Sequence, residues 1–407
     1  MVVKFPERIP PGVPDELVYD FNPASIPEFA RDPWTVLDRV RREAPPFFFT
    51  TDHEADHGVW VVSNEQLMRE VLQNPEVFTT EMGVSIGPAP WPRKIIPLEV
   101  DPPNHLKYRA LLGPVMSPRN IDRLEARVRE VTNQLIDHVI DAGECEFIAA
   151  FAKPLPSTIL LELMGLPQGR RAEFVEWVEE LFHAPSIEQR QAAGVRCMDY
   201  LREVIAERRR QHGEVDVVSV ICRAEVDGRP LPDEVVEDIV MFVFQAGLDT
   251  VTAGLGHVFH FLATHLDKQR DLRDDPDLIP NALEEILRMH PWIGTTRKVR
   301  KPFTFRGVDL RPGDIVRTLP YGAGRDPAVH ENPDVVDFHR ANIPHFTFDG
   351  GVHRCAGSHL ARRELRIAME AWVTRVGEFR VKPGVELAYD PDGMFQLQAL
   401  PLVWERG

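Results

Sequence analysis

The ten residues Phe348-Asp-Gly-Gly-Val-His-Arg-Cys-Ala-Gly357 constrain this chain more than any other stretch of its 407 residues. Gly350, Gly351 and Gly357 let a backbone turn tightly and come close to a flat ligand. Cys355 stands just ahead of an amphipathic run, 358–376, that reads as a helix. The dipole and the unbonded N–H groups at a helix N-terminus lower a thiol's pKa. His353 and Arg354 add donors and positive charge, so the segment favours a permanent thiolate. A lone cysteine beside a glycine turn is more often a buried structural thiol. The glycines, the flanking donors and the helix that follows leave a ligating thiolate as the other reading.

Around this loop the chain is dominated by helical periodicity. Residues 120–142 place Ile121, Leu124, Val128, Val131, Leu135 and Val139 on one stripe, and 174–182 and 197–211 read likewise. Pro232 followed by Asp233 and Glu234 starts a helix, with acids at the positive dipole end. Its apolar pattern continues to about residue 264, predicting one helix ~50 Å long. Strand signals are short: 58–62, 303–305, 315–319 and 399–404. Between 322 and 348 runs a long aperiodic stretch of the kind shaped around something functional.

Length alone suggests two or three domains, but no linker divides the chain, so a single domain over 1–407 is expected, with a proline-rich extended arm over 1–20. A net charge of −16, from 63 acidic and 47 basic residues, argues against nucleic-acid binding. No stretch reads as ~18 consecutive apolar residues, so no membrane span is expected. The four cysteines are widely spaced, without C-x-x-C. They suggest neither a disulfide framework nor a zinc site, as befits a reducing cytoplasm.

Within the long helix stands Ala246-Gly-Leu-Asp-Thr250. Glycine in a helix interior costs roughly 1 kcal/mol against alanine. Small residues at 246 and 247 let a flat ligand approach the backbone. Thr250 can turn its hydroxyl onto the carbonyl one turn back, loosening the ladder into a groove. Asp249 beside it supplies a carboxylate for proton delivery.

The spacing from Phe348 through Gly351, His353 and Cys355 to Gly357 resembles the haem-ligand signature of the cytochrome P450 family. The resemblance implies a mainly α fold with small β-sheets: a triangular helical prism, with haem b between the long distal helix and the helix after the cysteine. It implies that Cys355 ligates the iron as thiolate, which favours O–O cleavage. Glu285-Ile-Leu-Arg288 is similar to the family's E-x-x-R, which implies a structural network with Arg340. His105 and Arg109 look like its H-x-x-x-R, and together with Arg297 and His353 are expected on the haem propionates. Asp249 and Thr250 match its catalytic acid–alcohol pair, with Ala246 and Gly247 beside the cofactor.

The strings GLDTV, VDFHR and HLARRE and the ending ALPLVW resemble the bacterial camphor hydroxylase group. That implies a monooxygenase fed with electrons by a [2Fe–2S] ferredoxin and its NADH-dependent reductase. Lys107, Arg109, Arg354, Arg362 and Arg363 would form the basic docking patch. The loop 83–97 departs from the group: where a tyrosine binds the camphor ketone, it carries Trp91, Arg93 and Lys94, which puts camphor itself in doubt. The pocket positions implied are Trp91, Phe242, Gln245, Ala246, Trp292, Ile293, Thr295 and 394–397, including Phe395. They suit a compact apolar substrate, terpenoid-like or aromatic, with one polar anchor. A peroxide-driven peroxygenase and a non-catalytic haem-based binder are the alternatives. The acid–alcohol pair counts against both.

Overall fold

The computed structural model describes residues 9–51, 58–84, 91–211, 216–391 and 394–405. Most of the arm expected over 1–20 is described from residue 9 onward; residues 1–8, and 85–90 of the pocket-covering loop, lie outside the described residues. Two compact units emerge, one from Met1–Ala89, Pro280–Cys355 and Glu386–Gln398, the other from Pro90–Ile279, Ala356–Val385 and Ala399–Gly407.

The first unit is built on a five-stranded sheet in the order Phe47–Thr50, Val59–Val62, Ile315–Thr318, Thr296–Val299, Phe78–Thr79. Its pairs are antiparallel except Val59–Val62 with Ile315–Thr318, which run parallel. Val59–Val62 is buried at every position, which its apolar VWVV sequence allows on both faces. Phe47 stacks on Trp60 at 4.6 Å and takes the edge of Phe305 at 5.1 Å. Two helices against this sheet start on side-chain caps: Asp32 accepts the N–H groups of Trp34 and Thr35, and Asn64 that of Leu67. On Thr296–Val299 the buried positions alternate, so Arg297 shares a face with Val299. From Gly324 to Gly357 the chain forms neither helix nor strand.

The second unit holds most of the helices and a three-stranded antiparallel sheet, Phe379–Val381, Pro401–Trp404 and Glu144–Glu146. The stripe predicted over 120–142 appears as Pro118–Asp137, burying Ile121, Val128, Val131 and Ile136, followed by a short 3-10 turn. Ser358–Arg375 packs on it and contributes Trp372 to an aromatic core: Phe147 stacks on Phe259 at 4.3 Å, and Trp372 meets both rings edge-on. Such edge and offset geometries add to the burial of area.

The single long helix expected from 233 to 264 is in fact two. Asp233–Leu248 ends at Asp249 (φ −109°, ψ −39°) and Thr250–Thr264 resumes. The cause lies in the hydroxyls. Thr250 Oγ1 donates to the Ala246 carbonyl at 2.9 Å and Thr252 Oγ1 to that of Leu248 at 3.2 Å. Two carbonyls of one turn are thus spent on side chains rather than on the ladder. By length and composition the Asp233–Thr264 stretch could cross a membrane, but most of it is buried inside the protein, as for a core helix.

Candidate active site

Along this broken helix exposure follows a simple rule. From 238 to 259 every residue is buried except Phe242, Ala246, Gly247 and Thr250, which are half-buried. Their spacings of four, one and three put them on one stripe. A helix buried on its other sides keeps a single open face, and that face carries the residues that should border a flat cofactor. Gly247 has a further reason to be glycine: a Cβ there would meet Leu160 at 2.9 Å. Its smallness, expected to serve the cofactor, is used by helix packing.

The Asp249 carboxylate sits at the break, nearly buried, and is held by His183 Nε2 at 2.8 Å. Lys153, Val178, Glu179 and Thr252 lie around it, with Lys153 and Glu179 ion-paired. The acid therefore has an imidazole partner and charged side chains nearby. His183 escapes sequence reading, because it lies 66 residues away with no local spacing to mark it.

Among the cysteines the structure separates one from three. Burial pushes the Cys145 and Cys197 thiols up to about 12 and raises that of Cys222. Cys355 is exposed. Its N–H donates to the Phe348 carbonyl at 2.9 Å and closes the loop on itself. Neither Gly350 nor Gly351 has positive φ; both instead permit close passage. A Cβ on Gly351 would lie 2.0 Å from the Leu72 carbonyl oxygen, and one on Gly350 2.3 Å from the Phe346 ring. Gly357, by contrast, faces open space. The left-handed residue of the loop is Asp349, at φ +63°. His353 is buried, its Nε2 at 3.1 Å from Thr80 Oγ1.

Glu285 and Arg288 are both fully buried and pair in two parallel bonds of 2.7 Å. Arg340 Nε adds a third cation contact at 3.1 Å, and the Asp337 N–H donates at 3.0 Å. The two arginines donate onward to the carbonyls of Gly324, Glu331, Pro333 and Val335. One carboxylate thereby organises the aperiodic stretch before the cysteine. Burial works to raise the Glu285 carboxyl, but the bonds from Arg288, Asp337 and Arg340 outweigh it and hold it below the usual range.

His105 is buried and Arg109 half-buried, one turn apart on the Asn104–Met116 helix. Arg297, also buried, donates to Asp349 Oδ2 at 2.8 Å and to the Thr296 carbonyl. Of the expected basic patch, Lys107 pairs with Asp227, and Arg363 with Asp122 and Glu125.

The pocket positions divide between the units. In the second, Trp91 is buried beneath the Arg93 guanidinium at 5.6 Å, Phe242 lies on the open stripe and Gln245 is buried. Arg93 reaches Glu237 at 2.9 Å and Asp238 at 2.8 Å, so its charge is spent on the helix rather than held out for a ligand. Burial pushes Asp238 up to about 6 despite that arginine. In the first unit Ile293 bridges to Met394, and Thr295 Oγ1 lies 3.2 Å from Thr318 Oγ1. Phe395 packs edge-on against Phe29 at 4.9 Å, a core contact.

Glu364, on the helix after the cysteine, is wholly buried, and burial alone pushes its carboxyl up to about 8. A raised carboxyl favours folding fully below its ordinary value near 4.5, and that stability is lost as pH rises through about 8. Glu364→Gln should remove this alkaline loss. Urea midpoints of the two proteins between pH 5 and 9 check it, with the variant gaining on the wild type as pH rises.

An accessible thiol on a closed loop, buried basic residues suited to carboxylates, an open helix stripe with an alcohol and a buried acid next to that alcohol are residues that fit a thiolate-held porphyrin. They are the parts of an oxygen-activating haem enzyme. A cytochrome P450 family profile matches residues 170–401. A probable cytochrome P450 127A1 of Sinorhizobium fredii is 32% identical over 404 residues, 98% of this chain and 96% of that one. The monooxygenase PikC of Streptomyces venezuelae is 32% identical, with 93% of each chain covered. The crystal structure of CYP101C1 superposes with a TM-score of 0.88 at 30% identity, covering 98% of this chain and all of that one. That of CYP101J2 gives 0.87 at 31%, covering 97% and 99%. This chain belongs to the cytochrome P450 family. It is a monooxygenase whose cofactor is thiolate-ligated haem b, the group that binds and activates O2 when present.

Proposed function

We propose that the chain hydroxylates a compact, mainly apolar organic molecule, terpenoid-like or aromatic, using O2 and two electrons from a [2Fe–2S] ferredoxin with its NADH-dependent reductase, in the cytoplasm. The observation that carries this reading is the open stripe Phe242-Ala246-Gly247-Thr250 on an otherwise buried helix, with Asp249 at its break. Cys355 holds the iron; His105, Arg109, Arg297 and His353 hold the haem carboxylates. Glu285, Arg288 and Arg340 keep the loop before the cysteine in shape. Thr250 presents a hydroxyl toward the open face while its proton is committed to the Ala246 carbonyl. Asp249, oriented by His183, supplies the protons.

The substrate reading rests on Trp91, Phe242, Gln245, Ile293 and Thr295 as a mostly apolar set with one amide and one hydroxyl. Curated relatives at similar identity include an erythromycin C-12 hydroxylase and a mycinamicin IV hydroxylase/epoxidase, both of actinobacteria, so overall identity does not select the substrate. A panel of terpenoids, small aromatics, fatty acids and macrolides, screened by displacement of the haem spin state, tests it. Shifts confined to fatty acids or macrolides would exclude the reading.

Thr250→Ala should leave substrate binding intact while product formed per NADH falls by roughly tenfold or more and hydrogen peroxide accumulates instead. Product, NADH and peroxide measured in one reaction decide it. Unchanged coupling removes Thr250 from proton delivery.

A further inference from the structure

We propose that Asp349 is a positioning residue for the cofactor: it locks Arg297 and the cysteine loop into one buried assembly and sets how much of the arginine's charge reaches a haem carboxylate. The inference rests on the reading of Arg297 as a haem-carboxylate ligand.

The geometry is unusual for a position that is unspecified in the haem-ligand spacing. Asp349 takes a left-handed backbone at φ +63°, where glycine is favoured and a side chain is strained. The carboxylate offsets this by working in two directions. Oδ1 accepts the N–H of Gly350 at 2.5 Å and of Gly351 at 3.1 Å, fixing the turn that enters the cysteine segment. Oδ2 accepts from Arg297 at 2.8 Å, with Thr295 Oγ1 at 3.4 Å. The arginine and aspartate side chains are 3% and 7% exposed, so solvent screens the pair little.

A guanidinium has five N–H donors. Asp349 and the Thr296 carbonyl take one bond each, leaving donors for a second carboxylate. Arg297 can therefore hold the loop and a propionate together. Its single positive charge is then divided between two anions, and the propionate remains partly uncompensated. Uncompensated negative charge beside a haem favours the ferric over the ferrous state.

Three variants test this. Asp349→Asn keeps the Oδ1 acceptor and removes the charge. It should retain the thiolate spectrum and move the ferric/ferrous midpoint to more positive potential in a dye-equilibrated titration. Asp349→Gly accepts the left-handed backbone but loses both clamps. Its haem should transfer to apomyoglobin roughly two- to tenfold faster, as for the loss of one or two ordinary hydrogen bonds. Arg297→Gln should also lose haem faster. If Arg297→Gln retains haem like the wild type, the reading of Arg297 fails and takes the proposal with it. If Arg297→Gln loses haem while Asp349→Asn keeps the wild-type midpoint and Asp349→Gly the wild-type transfer rate, Asp349 has no such role.

Discussion

Cys355→Ser is expected to abolish the thiolate spectrum: the Soret band of the reduced carbon-monoxide complex should move from about 450 nm to about 420 nm or vanish with the haem. Burial of the other thiols points to the same residue as the spacing does. A thiolate ligand must be deprotonated and reachable, and the other three thiols are driven toward the protonated form by burial. Cys355 is exposed, on a loop closed by its own N–H to Phe348. Serine keeps the size and the loop bond but is a far weaker donor. Monooxygenase turnover should fall by at least about a hundredfold, because electron release from sulfur assists O–O cleavage. A variant that keeps the band near 450 nm would exclude Cys355 as ligand.

The second large effect is on folding. Glu285→Ala removes the carboxylate that Arg288 and Arg340 share and strands two guanidiniums, one fully buried and one half-buried. Breaking a buried pair from one side costs roughly 3–5 kcal/mol, a large part of the ~5–15 kcal/mol that holds a typical protein together. The variant should accumulate little haem-loaded protein. Glu285→Gln, which keeps shape without charge, should fold but unfold at lower urea concentration. The pH dependence follows from the lowered carboxyl. Its stabilisation is fully present above the ordinary value near 4.5 and is lost as pH falls through the lower folded value. The gap in urea midpoint between wild type and Glu285→Gln should therefore hold from pH 7 to 5 and close on further acidification. A gap that does not change with pH would mean that Glu285 acts through shape alone.

What could be read in the sequence was local. The cysteine decapeptide and the Glu285–Arg288 pair, three residues apart on one helix face, carry their geometry in their spacing. The helix stripe at 120–142 and the short strands fall near their expected places for the same reason of period. The remainder depends on residues that meet only after folding. His183 reaches Asp249 across 66 positions and Arg297 reaches Asp349 across 52. The break at Asp249 was hidden because periodicity registers apolar faces, not whether a hydroxyl has captured a carbonyl. Gly247 was assigned to the cofactor, although the atoms crowding it belong to Leu160. Arg93, which read as an unexplained charge over the pocket, is anchored on Glu237 and Asp238.

The partition of the thiols also governs how the protein meets oxidants and electrophiles. With two thiols near 12 and a third raised, almost none of that sulfur is nucleophilic at neutral pH. Only the cysteine that iron would occupy is exposed. Cofactor binding would thus cap the accessible thiol, leaving an enzyme that handles oxygen little free cysteine to oxidise. Damage would concentrate on molecules that have lost their haem, where a maleimide or a peroxide would mark Cys355 and so count the empty fraction.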